Sequence, residues 1–227
     1  VFSANLASQG PGGAIRVQGA ANPVFRNCRF LDNVSLLHGG AIAIEHGVTA
    51  EVDLSEFRGN ITYANGGGIS LIGGVMDVRD TQFVGNQANG GTGTGGGASV
   101  EQGLMIVEDC GFETNTAYLG GALYGSTSAV VTVTGSSFCG SEGGHVHGNV
   151  DLVPGSGNCN VFDCSMPCRS DINGDARTGI DDLLLVVDQW GQCPDLTQDC
   201  SADIDVSHRV DVEDMLEVMA GWGECVQ

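Results

Sequence analysis

"GGAIAIEHGVTAEVDLSEFRGN", residues 39–60, sets a Gly pair, two short alternating stretches and a Phe-x-x-Asn tetrad in one continuous run. Apolar and polar residues alternate for five to eight positions at a time, a strand signal, and no 3.6-residue period competes with it. The same marks recur along the chain. The tetrad appears at Phe2–Asn5, Phe30–Asn33, Phe57–Asn60, Phe83–Asn86 and Phe112–Asn115, and a sixth copy, Phe138–Ser141, lacks the Asn. Successive phenylalanines stand 28, 27, 26, 29 and 26 residues apart. Between them fall Gly pairs beginning at 12, 39, 67, 96, 120 and 143.

A unit of two or three short strands cannot bury its own apolar face, but stacked copies can, which is the logic of a solenoid. Residues 1–162 are therefore expected to form a parallel β-helix of about six coils, each rising ~4.8 Å. Phe side chains would stack inside, Asn side chains would hydrogen-bond along one corner, and the Gly pairs would supply positive φ at another. The longest gap, "VGNQANGGTGTG" (84–95), is expected to protrude as a loop.

The paired GGAI and FxxN marks resemble the polymorphic membrane protein repeats of bacterial surface proteins, within the broader pectin-lyase-like right-handed β-helices. The resemblance implies a right-handed β-helix and speaks weakly to function, because the marks are architectural. Many such folds cleave polysaccharides. A lyase would need carboxylates holding Ca²⁺ beside a basic residue, and a hydrolase would need paired carboxylates. Asp53, Glu56, Asp77, Asp80, Glu108 and Asp109 precede the ladder phenylalanines, with Arg29 and Arg79 nearby, in registers that suit a solvated outer face. His145 and His147 would point the same way on a strand but offer only two ligands to a metal. His38 and His46 adjoin glycines and read as turn residues. Cys28 and Cys110 share a column three coils apart, too far for a bond. No catalytic residue is assigned.

Composition sets the surroundings. The 227 residues hold eight arginines, no lysine and 28 acidic residues, a net charge of −20. That surface repels nucleic acid and anionic lipid. The 37 glycines far exceed the ~7% of ordinary proteins, yet enough apolar residues alternate with them to exclude disorder. Seven of the nine cysteines follow residue 138, which is natural for a secreted, oxidised chain. No apolar run reaches the ~20 residues of a membrane span. The start at Val1, without Met or signal peptide, reads as a processed or truncated secreted or cell-surface protein.

A second repeat occupies residues 163–227. "DINGDARTGIDD" (171–182) returns 32 residues later as "DIDVSHRVDVED" (203–214), and Trp190, Gly191, Cys168 and Cys193 match Trp222, Gly223, Cys200 and Cys225. Each acidic twelve-mer precedes a short apolar helix. In a Ca²⁺ loop, oxygens come from positions 1, 3, 5, 7 (a carbonyl), 9 (often through water) and 12. The first loop thus offers Asp171, Asn173, Asp175, the Arg177 carbonyl, Gly179 through water, and Asp182. The second offers Asp203, Asp205, Ser207, the Arg209 carbonyl, Asp211 and Asp214. Two Ca²⁺ ions are expected, since oxygen-rich cages of many protein ligands suit the larger cation.

The tandem resembles the type I dockerin module. The resemblance implies a cohesin-like or cell-wall partner, with Ile180–Asp181 and Val212–Glu213 at the loop positions that help select it. Ala176 and His208 replace the usual glycine at position 6, which implies a weaker second site. An approximate two-fold axis between the units would make Cys168–Cys225 and Cys193–Cys200 equivalent bonds, with Cys139–Cys159 joining neighbouring coils and Cys164 unassigned. Three functions follow. The first is a non-catalytic structural or adhesive β-helix attached through a calcium-binding module. The second is a subunit of a head-to-tail filament of neighbouring copies, suggested by the uncapped coil at Val1. The third is a polysaccharide lyase or hydrolase tethered by the module.

Overall fold

The computed structural model describes residues 1–153, 159–161, 177–192, 202, 209–220 and 223–224. The fold is mainly β: a parallel solenoid of about six coils. Each full coil contributes to four sheets rather than to two or three. A seven-stranded sheet carries the phenylalanines, from Phe2–Ser3 through Glu56–Arg58 to Cys159–Val161. A four-stranded sheet of two-residue strands follows the Asn corner, a six-stranded sheet follows the Gly pairs (Ile42–Ile44 and its equivalents), and another six-stranded sheet precedes the phenylalanines (Val48–Asp53 and its equivalents). Register is strict: Phe30, Phe57, Phe83, Phe112 and Phe138 pair in succession.

Six rings stack from Phe2 to Phe138 with centroids 4.7–5.1 Å apart. Burying each ring from Phe30 onward removes the largest side chain of its coil from water, and Ile42, Ile44, Ile69, Leu71, Met76 and Met105 fill the remaining width.

The corners solve the backbone problem. Asn60 is fully buried. Its Oδ1 accepts from the Asn33 backbone N–H (3.0 Å) and from Asn33 Nδ2 (2.9 Å). Its own Nδ2 donates to the Phe30 carbonyl (2.9 Å) and to Asn86 Oδ1 (2.8 Å). The pattern repeats from Asn5 to Asn115, and Ser141 Oγ takes the Asn role at the end by accepting from the Asn115 N–H.

The opposite corner uses the same device with hydroxyls. Ser55 Oγ accepts from the Cys28 N–H, Thr81 Oγ1 from the Ser55 N–H, and Ser136 Oγ from the Cys110 N–H. Each of these residues follows one with positive φ: Asp32, Gly59, Gly85 and Thr114 at the Asn corner, Asn27, Leu54, Asp80, Asp109 and Gly135 at the other. A single left-handed residue turns the chain, and the next side chain caps the neighbouring coil.

The Gly corner corrects the expected frame. In the third and fourth coils the pairs are Gly66–Gly67 and Gly95–Gly96; Gly66 and Gly95 carry the positive φ that Gly39 carries in the second coil. Gly68 and Gly97 stand where Ala41 and Ala122 stand elsewhere, since Ile42, Ile69, Ala98 and Leu123 are register partners. Only glycine fits at Gly39: φ is +67°, and a Cβ would meet the Ile42 carbonyl at 2.2 Å.

One other expectation changes. The 84–95 segment exposes only Asn89, Gly91 and Thr92, while Gly93 and Thr94 fold back into burial. The outer face of the Gly-following sheet is covered as well. Ala43, Ser70 and Ser99 point outward by alternation, yet each is fully buried. The chain leading into each Gly pair lies over them, as the 3.1 Å contact between Thr94 Oγ1 and Ser99 Oγ illustrates.

Toward the C-terminus, α1 (Ile180–Asp188) and α2 (Val212–Ala220) pack together. Arg177–Thr178 pairs antiparallel with Gly223–Glu224, and Arg209–Val210 with Gly191–Gln192. Adding 32 to every residue of the first pairing partner, and subtracting it from the second, exchanges the two ladders, so the sequence repeat is a structural pseudo-two-fold. The boundary expected at 162/163 lies outside the described residues.

Asn60→Ala leaves the Asn33 backbone N–H and one of the two Asn33 amide N–H groups without acceptors and removes the donor to Phe30. Urea denaturation should show a loss of about 3 kcal/mol, whereas exposed Asn89→Ala should shift stability by less than about 0.5 kcal/mol.

Candidate functional site

Two regions hold chemistry-bearing side chains. On the solenoid, every arginine among residues 1–153 is ion-paired, usually to the following coil. Arg16 Nε meets Glu45 at 2.8 Å, Arg26 meets Asp53 at 2.7 Å, and Arg79 meets Glu108 at 2.6 Å. Glu56 takes both Arg29 and Arg58, each at 2.7 Å. All but Arg58–Glu56 join neighbouring coils in the manner of cross-strand charge pairs, and their exposure to solvent screens them. Of the acids weighed for catalysis, Asp53, Glu56, Asp77 and Glu108 are in this ladder. Asp80 and Asp109 sit at positive-φ turns instead.

The ladder bears on catalysis. A lyase base must give up its proton readily, but the hydrogen bond from Arg79 to Glu108 holds that guanidinium proton more tightly than usual, and Glu45 does the same for Arg16. The hydrogen bonds from Arg58 and then Arg29 hold Glu56 below the ordinary carboxylate range, which suits an ion-pair partner and not a general acid.

The cysteines and histidines separate by burial. Cys28 and Cys110 are both free thiols, and burial pushes Cys110 up to about 12. Cys139 is disulfide-bonded. Cys164, Cys168, Cys193, Cys200 and Cys225 lie outside the described residues. His145 and His147 do not act as a pair: His147 is exposed and stacks on Tyr124 at 6.0 Å, while His145 is half-buried and held toward its neutral form by desolvation. His38 is not merely a turn residue, for its Nδ1 lies 3.3 Å from Glu101 Oε1, two coils away. Sequence reading missed that pair because 63 residues separate its members.

The second region is the C-terminal helix pair. Of the expected Ca²⁺ ligands, Asp171, Asn173, Asp175, Asp203, Asp205 and Ser207 lie outside the described residues. Arg177 and Arg209 start equivalent strands, and Gly179 and Asp211 precede the helices. Asp182 and Asp214, the two position-12 acids, are both buried. Asp182 Oδ2 accepts from the Gly179 N–H at 2.7 Å, and Asp214 Oδ2 accepts from the Asp211 N–H at 2.8 Å. Two carboxylates are thus fixed at matching helix N-termini, where backbone N–H groups and the helix dipole favour negative charge. Such fixed, buried carboxylates fit the last ligand position of an oxygen cage. Among the described residues, no three His, Cys, Asp or Glu side chains converge as a metal-binding group.

Both helices also turn apolar side chains outward. Ile180, Leu184 and Val187 are 53–56% exposed, and their equivalents Val212, Leu216 and Met219 are 53–55% exposed. Trp190 extends the first set at 48%. No helix among the described residues is long and apolar enough to cross a membrane. Comparison with protein-family models, with curated proteins and with solved structures finds no match to this chain.

Two outcomes follow. Glu56 has a lowered folded pKa, so its stabilisation is present above the unfolded value near ~4.3 and is lost as pH falls through the folded value. Glu56→Gln should flatten that part of an acid-denaturation profile, lowering stability slightly at neutral pH and leaving it equal to that of the parent protein at low pH, where Glu56 is protonated. In the folded protein at neutral pH, mass mapping after alkylation should find Cys110 unmodified under conditions that label half-buried Cys28.

Proposed function

We propose that this chain is a secreted or cell-surface, non-catalytic structural or adhesive β-solenoid, with coils of the polymorphic membrane protein type, attached through a calcium-binding, dockerin-like module. The observation that carries the reading is the matched pair of exposed apolar stripes, Ile180/Leu184/Val187 and Val212/Leu216/Met219. A nine-residue helix ordinarily turns its apolar side chains inward, so large apolar residues facing water on both members of a pseudo-symmetric pair suit a protein-binding face. A cohesin-like or cell-wall protein is the partner such a face would take.

Calcium fits the same region. Clustered acid destabilises an empty loop, and a divalent cation turns that repulsion into folding free energy. The buried Asp182 and Asp214 supply equivalent carboxylates, and the twelve-residue spacing supplies the remaining oxygens. The disulfide at Cys139 suits an oxidising, extracytoplasmic compartment. The pairing of every arginine among residues 1–153 with a carboxylate argues for a scaffold over a polysaccharide-cleaving enzyme.

The decisive experiment titrates the chelated protein with Ca²⁺ by calorimetry and circular dichroism. Two ions should bind, helical signal should rise, and the β signal of the solenoid should not move. Asp182→Ala and Asp214→Ala should each remove one ion. Binding to a cohesin panel or to cell-wall material should require Ca²⁺ and should fall at least tenfold in Leu184→Glu/Leu216→Glu. A helix signal indifferent to Ca²⁺, or sustained turnover of a polysaccharide, overturns the proposal.

A further inference from the structure

The tetrapeptide Ala-Asn-Gly-Gly occurs twice, at 64–67 and at 88–91. Asn followed by Gly is prone to one backbone reaction, attack of the Gly nitrogen on the Asn side-chain carbonyl, because no Cβ hinders the approach. Local sequence treats the two copies alike, so a difference between them must come from the fold.

At the first copy both reacting groups are tied down. Asn65 Oδ1 accepts from the Thr94 N–H at 3.1 Å, and Asn65 Nδ2 donates to Glu101 Oε1 at 3.0 Å. The Gly66 N–H, which must lose its proton before the nitrogen can attack, donates to the Thr94 carbonyl at 2.9 Å. The Asn65 carbonyl accepts from the Gly39 N–H at 3.0 Å. Reaction there must wait for local opening of the coils.

At the second copy the same groups are loose. Asn89 is exposed, and its side chain makes one surface bond, from Nδ2 to Gln87 Oε1 at 3.0 Å. Among the described residues, none accepts a hydrogen bond from the Gly90 N–H. Gly91 and Thr92 are exposed beyond it, and three of the four residues 90–93 are glycine, so the peptide can rotate into the attacking geometry. Glycine is nonetheless required at 90, where a Cβ would meet the Tyr63 carbonyl at 2.3 Å. Close packing on the preceding coil thus keeps the reactive pair in place.

We propose that Asn89–Gly90 is a self-modification site, at which the folded protein converts Asn89 to aspartate and isoaspartate while Asn65 is protected. Hydroxide removes the Gly90 N–H proton and the nitrogen bonds to Asn89 Cγ. The Cγ–Nδ2 bond breaks, and Nδ2 leaves as ammonia after taking a proton from water. Water then opens the cyclic imide. Cleavage between the nitrogen and Cγ leaves aspartate; cleavage between the nitrogen and the Asn89 main-chain carbonyl carbon leaves isoaspartate, whose backbone runs through Cβ and Cγ. Either product adds a negative charge to an exposed turn of the solenoid, and the second also lengthens its backbone.

The test incubates the full folded chain at mildly alkaline pH and follows both sites by tryptic mass mapping after reduction, with isoaspartate detected by enzymatic methylation. The chain has no lysine, so cleavage after Arg58, Arg79, Arg169 and Arg177 places Asn65, Asn89 and the third Asn-Gly pair, Asn173–Gly174, in separate peptides. Asn89 should gain the mass of amide-to-carboxylate conversion at least about tenfold faster than Asn65, and faster still as pH rises. In urea the two rates should converge, since the tetrapeptides are identical. Asn89→Gln should abolish conversion at 89, because the longer side chain closes the ring poorly, and should leave Asn65 as it was. An Asn89 that stays intact in the folded chain, equal rates at the two sites before urea is added, or a difference that persists in urea overturns the proposal.

Discussion

Every coil depends on a side chain that does the work of a backbone. At each corner the chain turns through one left-handed residue, and the ladder of parallel strands breaks, leaving backbone N–H groups without strand partners. Buried and unpaired, each would cost about 1–3 kcal/mol. Asn33, Asn60, Asn86 and Asn115 remove that cost at one corner, because an amide can accept twice and donate twice. Both lone pairs go to the coil below; one N–H bonds forward and the other back. Serine at 141 can satisfy the backbone N–H but cannot continue the amide chain, and there the ladder of amides ends. The Phe stack then fills the space that the corners enclose.

This explains which parts of the fold were legible. A ladder demands the same residue at the same place in every coil, so Phe, Asn and Gly announce themselves by recurrence alone. The hydroxyl corner obeys the same physics but was hidden, because Cys28, Ser55, Thr81, Cys110 and Ser136 are five answers drawn from three residue types. The Gly frame slipped by one for a related reason: a run of three glycines offers two pairs, and only the close approach of Gly66 to the Ile69 carbonyl tells which is the turn. Outward contacts were less legible still. Arg29–Glu56 or His38–Glu101 joins residues that no local pattern links, since a parallel solenoid puts neighbours one or two whole coils apart in sequence. At the C-terminus the 32-residue repeat predicted equivalence, and the exchanged strand pairings display it, while the outward apolar stripes were masked in sequence by the ordinary look of an amphipathic helix.

Charge follows the same division of labour. Residues 1–79 hold five arginines against six acids, so the ion-pair ladder leaves a net of −1 there. Residues 80–153 hold seven acids and no arginine, a net of −7, and the remainder holds fifteen acids against three arginines, a net of −12. The solenoid tolerates its share, because its carboxylates are spread over an outer surface and screened beyond about 8–10 Å. The C-terminal segment places nine of its fifteen acids in two twelve-residue stretches, 171–182 and 203–214.

Among the described residues of the two helical units, Val186, Ala202, Val210 and Val218 are the fully buried apolar side chains, with Leu183 and Met215 packed against them. Nine-residue helices are too short to persist alone, so each depends on its packing against the other. Asp182 and Asp214, buried in the same unit, are answered by the Gly179 and Asp211 N–H groups and by the helix N-termini. A solenoid whose hydrogen bonds run unbroken from coil to coil can stand on its own sequence. The helix pair differs in what it turns outward: among its described residues Ile180, Leu184 and Val187 on one helix and Val212, Leu216 and Met219 on the other face water at equivalent places, which is the arrangement that the proposed partner and the proposed cations would use.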